Sequence, residues 1–588
     1  MIKWTSGLCL AGLIACAAAC HDEAPPATTA SGDSTFEAVS KDFLKGYLDW
    51  RPQSAVALGF HQYDTLVTDY SKTSMAGEIT RLMHFDSLLA GMDTSTLGVQ
   101  DFKDYRLLRL GIKQELFNFE DEKTYERNPM AYAQAVDINA YVKRDFAPLE
   151  YRVGCIVRVE RQFPALFGAA KVNLQDTLAK PLIDMAIEVA EGAKGFLKGD
   201  LLVALKDVKN DSLMKAFKAS NQGAIAAIDD YVTYLKTEKL PKANQNFALG
   251  EENYRKMLRY VEMVDLSPDS ILAIGMKELR REQGVFQTAA HVINPHKPAT
   301  EVYKDVEQEH PTAEGLIPET KKHLEGIRQF LLDHKICSMP SDVRIQVKET
   351  PLYARSTSTA SCDVPGPFET KATEAYYYVT PVDSRWSPQQ KEDWLAMFNY
   401  YTTDVVTIHE AYPGHYTQFL HLNASKATEI EKIFSSYAFV EGWAHYTERM
   451  MLDEGYGNNN GDSVTAAKYR LAQSGDALLR ICRLCNSIML HTRGISVDSA
   501  THFFMANWYQ GEKPSNLEAL RGTFDPGYLF YTLGKLEILK LRDDYQAQEG
   551  AGYSLKTFND AMMDNGMPPI RLLRETLLKD KTKWGEVL

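Results

Sequence analysis

A mainly α-helical protein carrying one small β-sheet is the fold class that the sequence predicts, on three observations. Apolar residues recur at helical spacing along most of the chain. Strand-like patterning is confined to residues 337–385. The composition, 45% hydrophobic and 24% charged, is globular and excludes a collagenous, mucin-like or disordered chain. The 588 residues exceed one small domain; at about 100–200 residues per domain they allow two to four lobes or one large helical body.

Residues 1–20 read as an export signal. Lys3 supplies the positive start, and Gly7 to Ala19 is an apolar, small-residue stretch too short to span a bilayer. The stretch meets cysteine twice. Leu13-Ile14-Ala15-Cys16 and Ala17-Ala18-Ala19-Cys20 both resemble a bacterial lipobox, whose cysteine is lipidated and becomes the new N-terminus. Cys16 has the better leucine three residues before it and Cys20 lies at the edge of the polar segment, so both stay open. An ordinary signal peptide cleaved near Ala19 is the alternative. Residues 21–35, rich in Pro, Ala, Ser, Thr and acids, read as a flexible tether. No later apolar run reaches the length of a membrane span. The mature chain is therefore expected in an exported compartment, the bacterial periplasm or a membrane surface, held there by the N-terminal lipid alone.

The body, residues 36–588, divides by pattern. Residues 36–336 read as a mainly helical lobe, in which Phe36, Val39, Phe43, Tyr47 and Leu48 recur on one helical face. Ser267 is placed to cap a helix that starts at Pro268 and runs to about Gln283, before Gly284. Residues 337–588 form a second lobe containing the sheet. Val343 to Val347 alternates as a strand does, and Ala375 to Thr380 is an aromatic, β-branched run. Ser356 to Pro367 between them is rich in Ser, Thr, Gly and Pro, and the whole region reads as a small sheet inserted in a helical protein. Helices resume at Pro388, with a loop at Gly455 to Asp462 and an irregular segment at Gln510 to Pro526.

Charge and cysteines narrow the partners. The net charge is 65 − 78 = −13, which argues against nucleic acid and against a basic membrane-binding patch. Eight cysteines are too few for a disulfide framework. Cys482 and Cys485 sit in an apolar helical stretch and read as packing, with no second CxxC to complete a zinc site. Cys155 reads as a buried thiol. Cys337 and Cys362 flank the sheet, where an oxidising compartment would let them pair.

The chemistry concentrates at Thr407 to Phe419, TIHEAYPGHYTQF. His409-Glu410 begins like H-E-x-x-H, in which two histidines one turn apart bind zinc and the glutamate is the base. Here the i+4 position is Pro413 and the next histidine is His415. In a regular helix that residue lies about 240° round from His409. Pro413 clashes with the carbonyl of His409, and Gly414 allows unusual dihedrals, so a bulge or kink between the histidines is expected. A catalytic zinc with an open position needs a third ligand. Glu441, His445 and Glu448 share one helical face downstream, and each is a candidate.

Four motifs in order resemble the bacterial domain-of-unknown-function family 885, over essentially all of residues 36–588. HEAxPGHxxQ stands at His409 to Gln418, and EGWAxYxE at Glu441 to Glu448. An N-terminal signature falls on Pro52, Ala55, Leu58, Gly59, Tyr63, Asp64, Asp69 and Ser71. PGxxxYxxGKL stands at Pro526 to Leu536. The family looks like a branch of the gluzincin metallopeptidases, akin to the carboxypeptidase Taq and thimet oligopeptidase groups. The resemblance implies a zincin-like fold, with the small sheet beside an active-site cleft between two helical lobes. It implies one Zn2+ held by His409, His415 and Glu441, with Glu410 as general base. His445 falls outside the pattern, and Glu448 becomes a partner behind a ligand.

Tyr531, in the YxxGK segment, and His491 are the candidate donors to a tetrahedral oxyanion. Around His491 the family's Asp and Gly are replaced by Ser487 and Met489, and a structural histidine is the alternative. A peptide substrate is expected to pair with an edge strand; Ala375 to Thr380 is the candidate strand, with Tyr377 lining the groove. Arg493, Arg521 and Lys535 are candidates for a substrate carboxylate. The expected activity is zinc-dependent hydrolysis of small or unfolded peptides, with carboxypeptidase action as one form of it. The alternatives are a zinc amidohydrolase acting on a non-peptide or cell-wall peptide substrate, and a non-catalytic peptide-binding lipoprotein. The intact Glu410 speaks against the last.

Overall fold

The computed structural model describes residues 32–351, 355, 358–458 and 461–588. The export signal, both lipobox cysteines and most of the tether lie outside the described residues. The first helix, α1 (Gly32–Trp50), starts inside the expected tether and buries Phe36, Phe43 and Leu48 as the spacing predicts.

The protein is mainly helical, with a single small sheet among the described residues. Helix α2 (Pro268–Ile293) opens as predicted: the Ser267 hydroxyl accepts the Ser270 N–H, and Pro268 occupies the first turn. It does not stop at Gln283. Phe286, Ala289 and Ala290 continue its buried stripe, which outweighs the ~1 kcal/mol that an exposed glycine costs a helix.

The sheet has three strands, β1 (Gln346–Glu349), β2 (Ala360–Asp363) and β3 (Tyr376–Val379), in the order β1-β3-β2. β1 runs parallel to β3 with Val347 opposite Tyr377; β2 runs antiparallel with Cys362 opposite Tyr377. β2 lies within the Ser-, Thr-, Gly- and Pro-rich segment, where the sequence marked no strand. One expectation is corrected here. β3 is the central strand, so no edge is left on it for a peptide. Its unbroken apolar run is the mark of a strand buried on both faces, and Tyr377 and Val379 are fully buried.

The sequence motifs lie on α3 (Tyr400–Glu410), α4 (His415–Ala424), α5 (Tyr437–Asp453), α6 (Ser463–Thr492) and, later, α8 (Phe530–Glu549). Between α6 and α8 the segment expected to be irregular contains α7 (Glu512–Phe524). Its Pro514 sits in the first turn, where no N–H is needed, so the proline permits the helix. α5 and α8 touch backbone to backbone: a Cβ on Gly442 would lie 2.5 Å from the Gly534 carbonyl carbon. That contact sets Tyr531 and Lys535 against the EGWA turn.

The core does not divide at residue 336. One buried cluster joins Leu272, Leu279 and Ile327 to Trp443, Leu484 and Ile538. A second is built mostly from residues 48–235, and a third from the N-terminal helices. Among the described residues no helix is long and apolar enough to cross a membrane.

Candidate metal centre

The chain solves the spacing problem of the two histidines by ending one helix and starting another. α3 stops at Glu410, and Ala411 leaves helical geometry at φ −120°, ψ −82°. The Gly414 N–H returns to the Ile408 carbonyl at 3.0 Å, and α4 begins at His415. The carbonyls freed by the break are taken up: Trp443 Nε1–H donates to Pro413 O at 2.9 Å, and the Thr417 hydroxyl to Ala411 O at 3.2 Å. Only glycine fits at 414, because a Cβ there would lie 1.8 Å from the His409 carbonyl oxygen. The expected kink is thus a full break. It leaves the two imidazoles 4.8 Å apart, centroid to centroid, and at 89° to each other.

Glu441, one turn into α5, completes the group. Its Oε2 is 3.5 Å from His409 Nε2 and 3.5 Å from His415 Nε2. Ligand atoms about 2.0–2.2 Å from a tetrahedral zinc stand roughly 3.3–3.5 Å apart, so the spacing suits one ion. The same Oε2 is buried and accepts no hydrogen bond. A buried oxygen left so is costly unless a cation serves it. Burial pushes the Glu441 carboxyl up, but His415 and His409 override it and hold the group well below the usual carboxylate range. Burial pulls His409 down, yet Glu441 and Glu448 win and raise it to about 9. The pocket is electrostatically made for positive charge. Among the described residues His409, His415 and Glu441 are the group of ligand-type side chains with metal-binding spacing.

Of the three downstream candidates only Glu441 reaches both histidines. Glu448, fully buried, takes His409 Nδ1 at 2.7 Å on one oxygen and His445 Nδ1 at 3.0 Å on the other. Accepting from Nδ1–H fixes the tautomer in which the His409 Nε2 lone pair faces Glu441. Arg480 Nη2, 3.3 Å from Glu448, balances the charge. His445 points away from the centre, and burial with Lys535 nearby drops it to about 3.

Glu410, partly exposed, accepts the Cys362 backbone N–H at 2.9 Å. That N–H points away from β3, whereas the carbonyl of Thr359, just before β2, accepts from Thr380 N. The outer edge of β2 therefore faces Glu410. Tyr531 stands beside the centre, and burial together with Glu441 raises its hydroxyl pKa. The guanidiniums of Arg480, Arg483 and Arg521 lie 5.8, 5.2 and 5.8 Å from its ring centroid. Arg521 is also paired with Asp525 at 3.0 Å.

Other expected site residues fall elsewhere. His491 spends both ring nitrogens on backbone: Nε2 on Gly522 O at 2.7 Å, and Nδ1 on the Leu249 N–H at 3.2 Å. Burial lowers it to about 4, and it holds helices together with no nitrogen left for an oxyanion. Tyr377 is buried behind the sheet with its hydroxyl 3.3 Å from Thr407, so it lines no groove. Lys535 is wholly buried, 3.8 Å from Glu278, out of reach of a substrate carboxylate. Arg493 pairs with Asp269 at 2.8 Å, and thirteen residues of α6 put it about 20 Å from Arg480. Cys337 and Cys362 are both free thiols, as are the packed Cys482 and Cys485 and the buried Cys155.

Arg480, Arg483 and the Cys362 N–H were not foreseen. The signal for the arginines was present in Leu478-Leu479-Arg480-Ile481-Cys482-Arg483-Leu484. Two arginines three apart inside an apolar helical run must be buried and paired.

The chain belongs to a family of bacterial proteins of unknown function, DUF885, whose model matches residues 52–577. Two solved structures share its fold. A candidate lipoprotein of unknown function from Shewanella oneidensis superposes with a TM-score of 0.77 at 23% identity, covering 92% of this chain and 100% of its own. The crystal structure of a candidate lipoprotein from Colwellia psychrerythraea gives 0.77 at 17% identity, covering 95% and 99%. No curated protein matches.

Proposed function

We propose that this protein is a zincin-like, single-zinc metallopeptidase that hydrolyses small or unfolded peptides in a cleft between helical lobes. The observation that carries the reading is the buried Glu441 Oε2, unserved by any donor and 3.5 Å from the Nε2 of both histidines. His409, His415 and Glu441 would hold the ion, and Glu448 would keep His409 in its ligating tautomer. A bound zinc ion supplies Lewis acidity, which brings the pKa of water from 15.7 toward about 7.

The chain's own groups supply the rest. Glu410 takes the proton of the attacking water and returns it to the leaving amine. The Cys362 N–H holds one Glu410 oxygen and leaves the other for that transfer. Tyr531 donates from its hydroxyl to the oxyanion, and the three neighbouring guanidiniums stabilise the negative charge that develops there. β2, not β3, pairs with the substrate backbone, through the outward groups of Ala360 and the Cys362 carbonyl. Arg521, flanking Tyr531, is the cation available to a substrate carboxylate. An exported, lipid-anchored location is supported by the two lipobox sequences.

The test is incubation of wild-type protein and Glu410→Gln with a mixed peptide library, read by mass spectrometry. Cleavage by the wild type alone is expected, with equal metal in both. Metal without Glu410-dependent cleavage would overturn the peptidase reading.

A further inference from the structure

A cavity of about 1010 Å³, bordered by described residues, lies at the far ends of α2, α5 and α6 and shares no lining residue with the metal centre. Along α5, Arg449 in its wall is eight residues past Glu441, about 12 Å. The fully buried His445, Glu448 and Lys535 occupy the layer between.

The wall is rich in unused donors. Arg449 makes no hydrogen bond among the described residues; its one ion pair within 4 Å is with Asp453 at 3.4 Å, and it lends charge to Glu278 from farther off. Asp453 is already held by Arg470 at 2.6 Å. Arg281 uses Nε and Nη2 on Glu278 and Glu282 and keeps Nη1 unbonded. Gln473, 1% exposed, has an amide nitrogen without a partner. The carboxylates of the wall, Glu282 and Asp453, are each paired with an arginine, Arg281 and Arg470, so neither stands as an unpaired negative charge against an incoming anion. The rest of the lining includes the apolar Val285, Ala289, Leu452 and Ala467.

A volume at the upper end of ligand pockets calls for an organic molecule, since an inorganic ion would leave most of it unfilled. A guanidinium fork beside an amide N–H suits a planar carboxylate. We propose that this cavity is a second ligand site, which binds an organic carboxylate with an apolar body.

Isothermal titration of the purified protein with octanoate, N-acetylphenylalanine and inorganic phosphate tests this. Saturable one-site binding of both organic carboxylates is expected, with phosphate at least tenfold weaker. Arg449→Gln should weaken the carboxylates at least tenfold. Ala466→Trp, which fills the cavity and keeps the arginines, should abolish binding. Glu441→Ala should leave it unchanged. The proposal is overturned if neither carboxylate binds, if phosphate binds as tightly, or if both cavity variants bind as wild type. Loss in Glu441→Ala with none in Arg449→Gln would also overturn it, by placing the carboxylate on the metal.

Discussion

Replacing Glu448 probes the metal centre without touching a ligand. Its Oε1 accepts from His409 Nδ1 at 2.7 Å and lies 3.3 Å from Arg480, while Oε2 serves His445 at 3.0 Å. In Glu448→Ala the imidazole loses the acceptor that orients it, and among the described residues Arg480 keeps Asp476, at 3.2 Å, as its one carboxylate within 4 Å. Loss of such a partner typically costs 10–100-fold in metal affinity, about 1.4–2.8 kcal/mol. Breaking a buried ion pair costs a further ~3–5 kcal/mol of fold stability. Glu448→Gln separates the two effects. Its amide oxygen still accepts from His409 but carries no charge, so the affinity loss should be nearer tenfold. The assay is competition for zinc against a chromophoric chelator at pH 7.5, with thermal unfolding of the metal-free proteins alongside. Unchanged zinc affinity in both variants, or a greater loss from His445→Ala than from Glu441→Ala, would refute the assignment of Glu448 as the support of a His409 ligand.

Tyr531→Phe should lower kcat about 10²–10³-fold with little change in KM, as expected of a group that acts on the transition state; an equal kcat would remove Tyr531 from the mechanism. Gly414→Ala places a methyl 1.8 Å from a backbone oxygen and should cost at least about 3 kcal/mol of stability, read by melting temperature; a wild-type melt would mean that the break between α3 and α4 is wrongly drawn. Zinc affinity should fall as pH falls below about 9, because His409, raised to about 9 mainly by Glu441 and Glu448 against burial, must lose its proton to bind; chelator competition from pH 6 to 9 that shows no slope contradicts this. Glu160 is fully buried and burial raises it to about 8 from 4.5. Between those values the folded protein holds a proton that the unfolded chain has released, so stability falls as pH rises, by up to ~1.4 kcal/mol per unit. Glu160→Gln removes that slope, and its melting temperature should gain on wild type from pH 5 to pH 8; a constant difference would contradict the buried, protonated state.

The helical body was legible because amphipathic spacing and caps are local: Phe36, Phe43 and Leu48, and the Ser267 cap, fall where the sequence puts them. The errors came from tertiary override. Gly284 and Pro514 look like breakers, yet the buried stripe of α2 and the first-turn position in α7 make them harmless. The strand order depended on β2, whose Ala-Ser-Cys-Asp has weak strand character and gains its place by pairing with β3 and by giving an N–H to Glu410. At the centre, composition and spacing could name His409, His415 and three carboxylate or imidazole candidates. Choosing Glu441 on geometry required knowing that Pro413 and Gly414 end one helix and begin another. His491 misled because a histidine in a polar-looking motif carries no mark of where its nitrogens point, whereas the buried arginines of α6 were readable and went unread.

The most direct test of the account is metal stoichiometry by elemental mass spectrometry on the protein purified without added metal, together with Glu441→Ala and His415→Ala. One zinc per chain in the wild type, and close to none in either variant at unchanged far-UV circular dichroism, is predicted. A wild type without metal after zinc addition and desalting, or full zinc retained in both variants, would contradict the metal centre on which the proposed function rests.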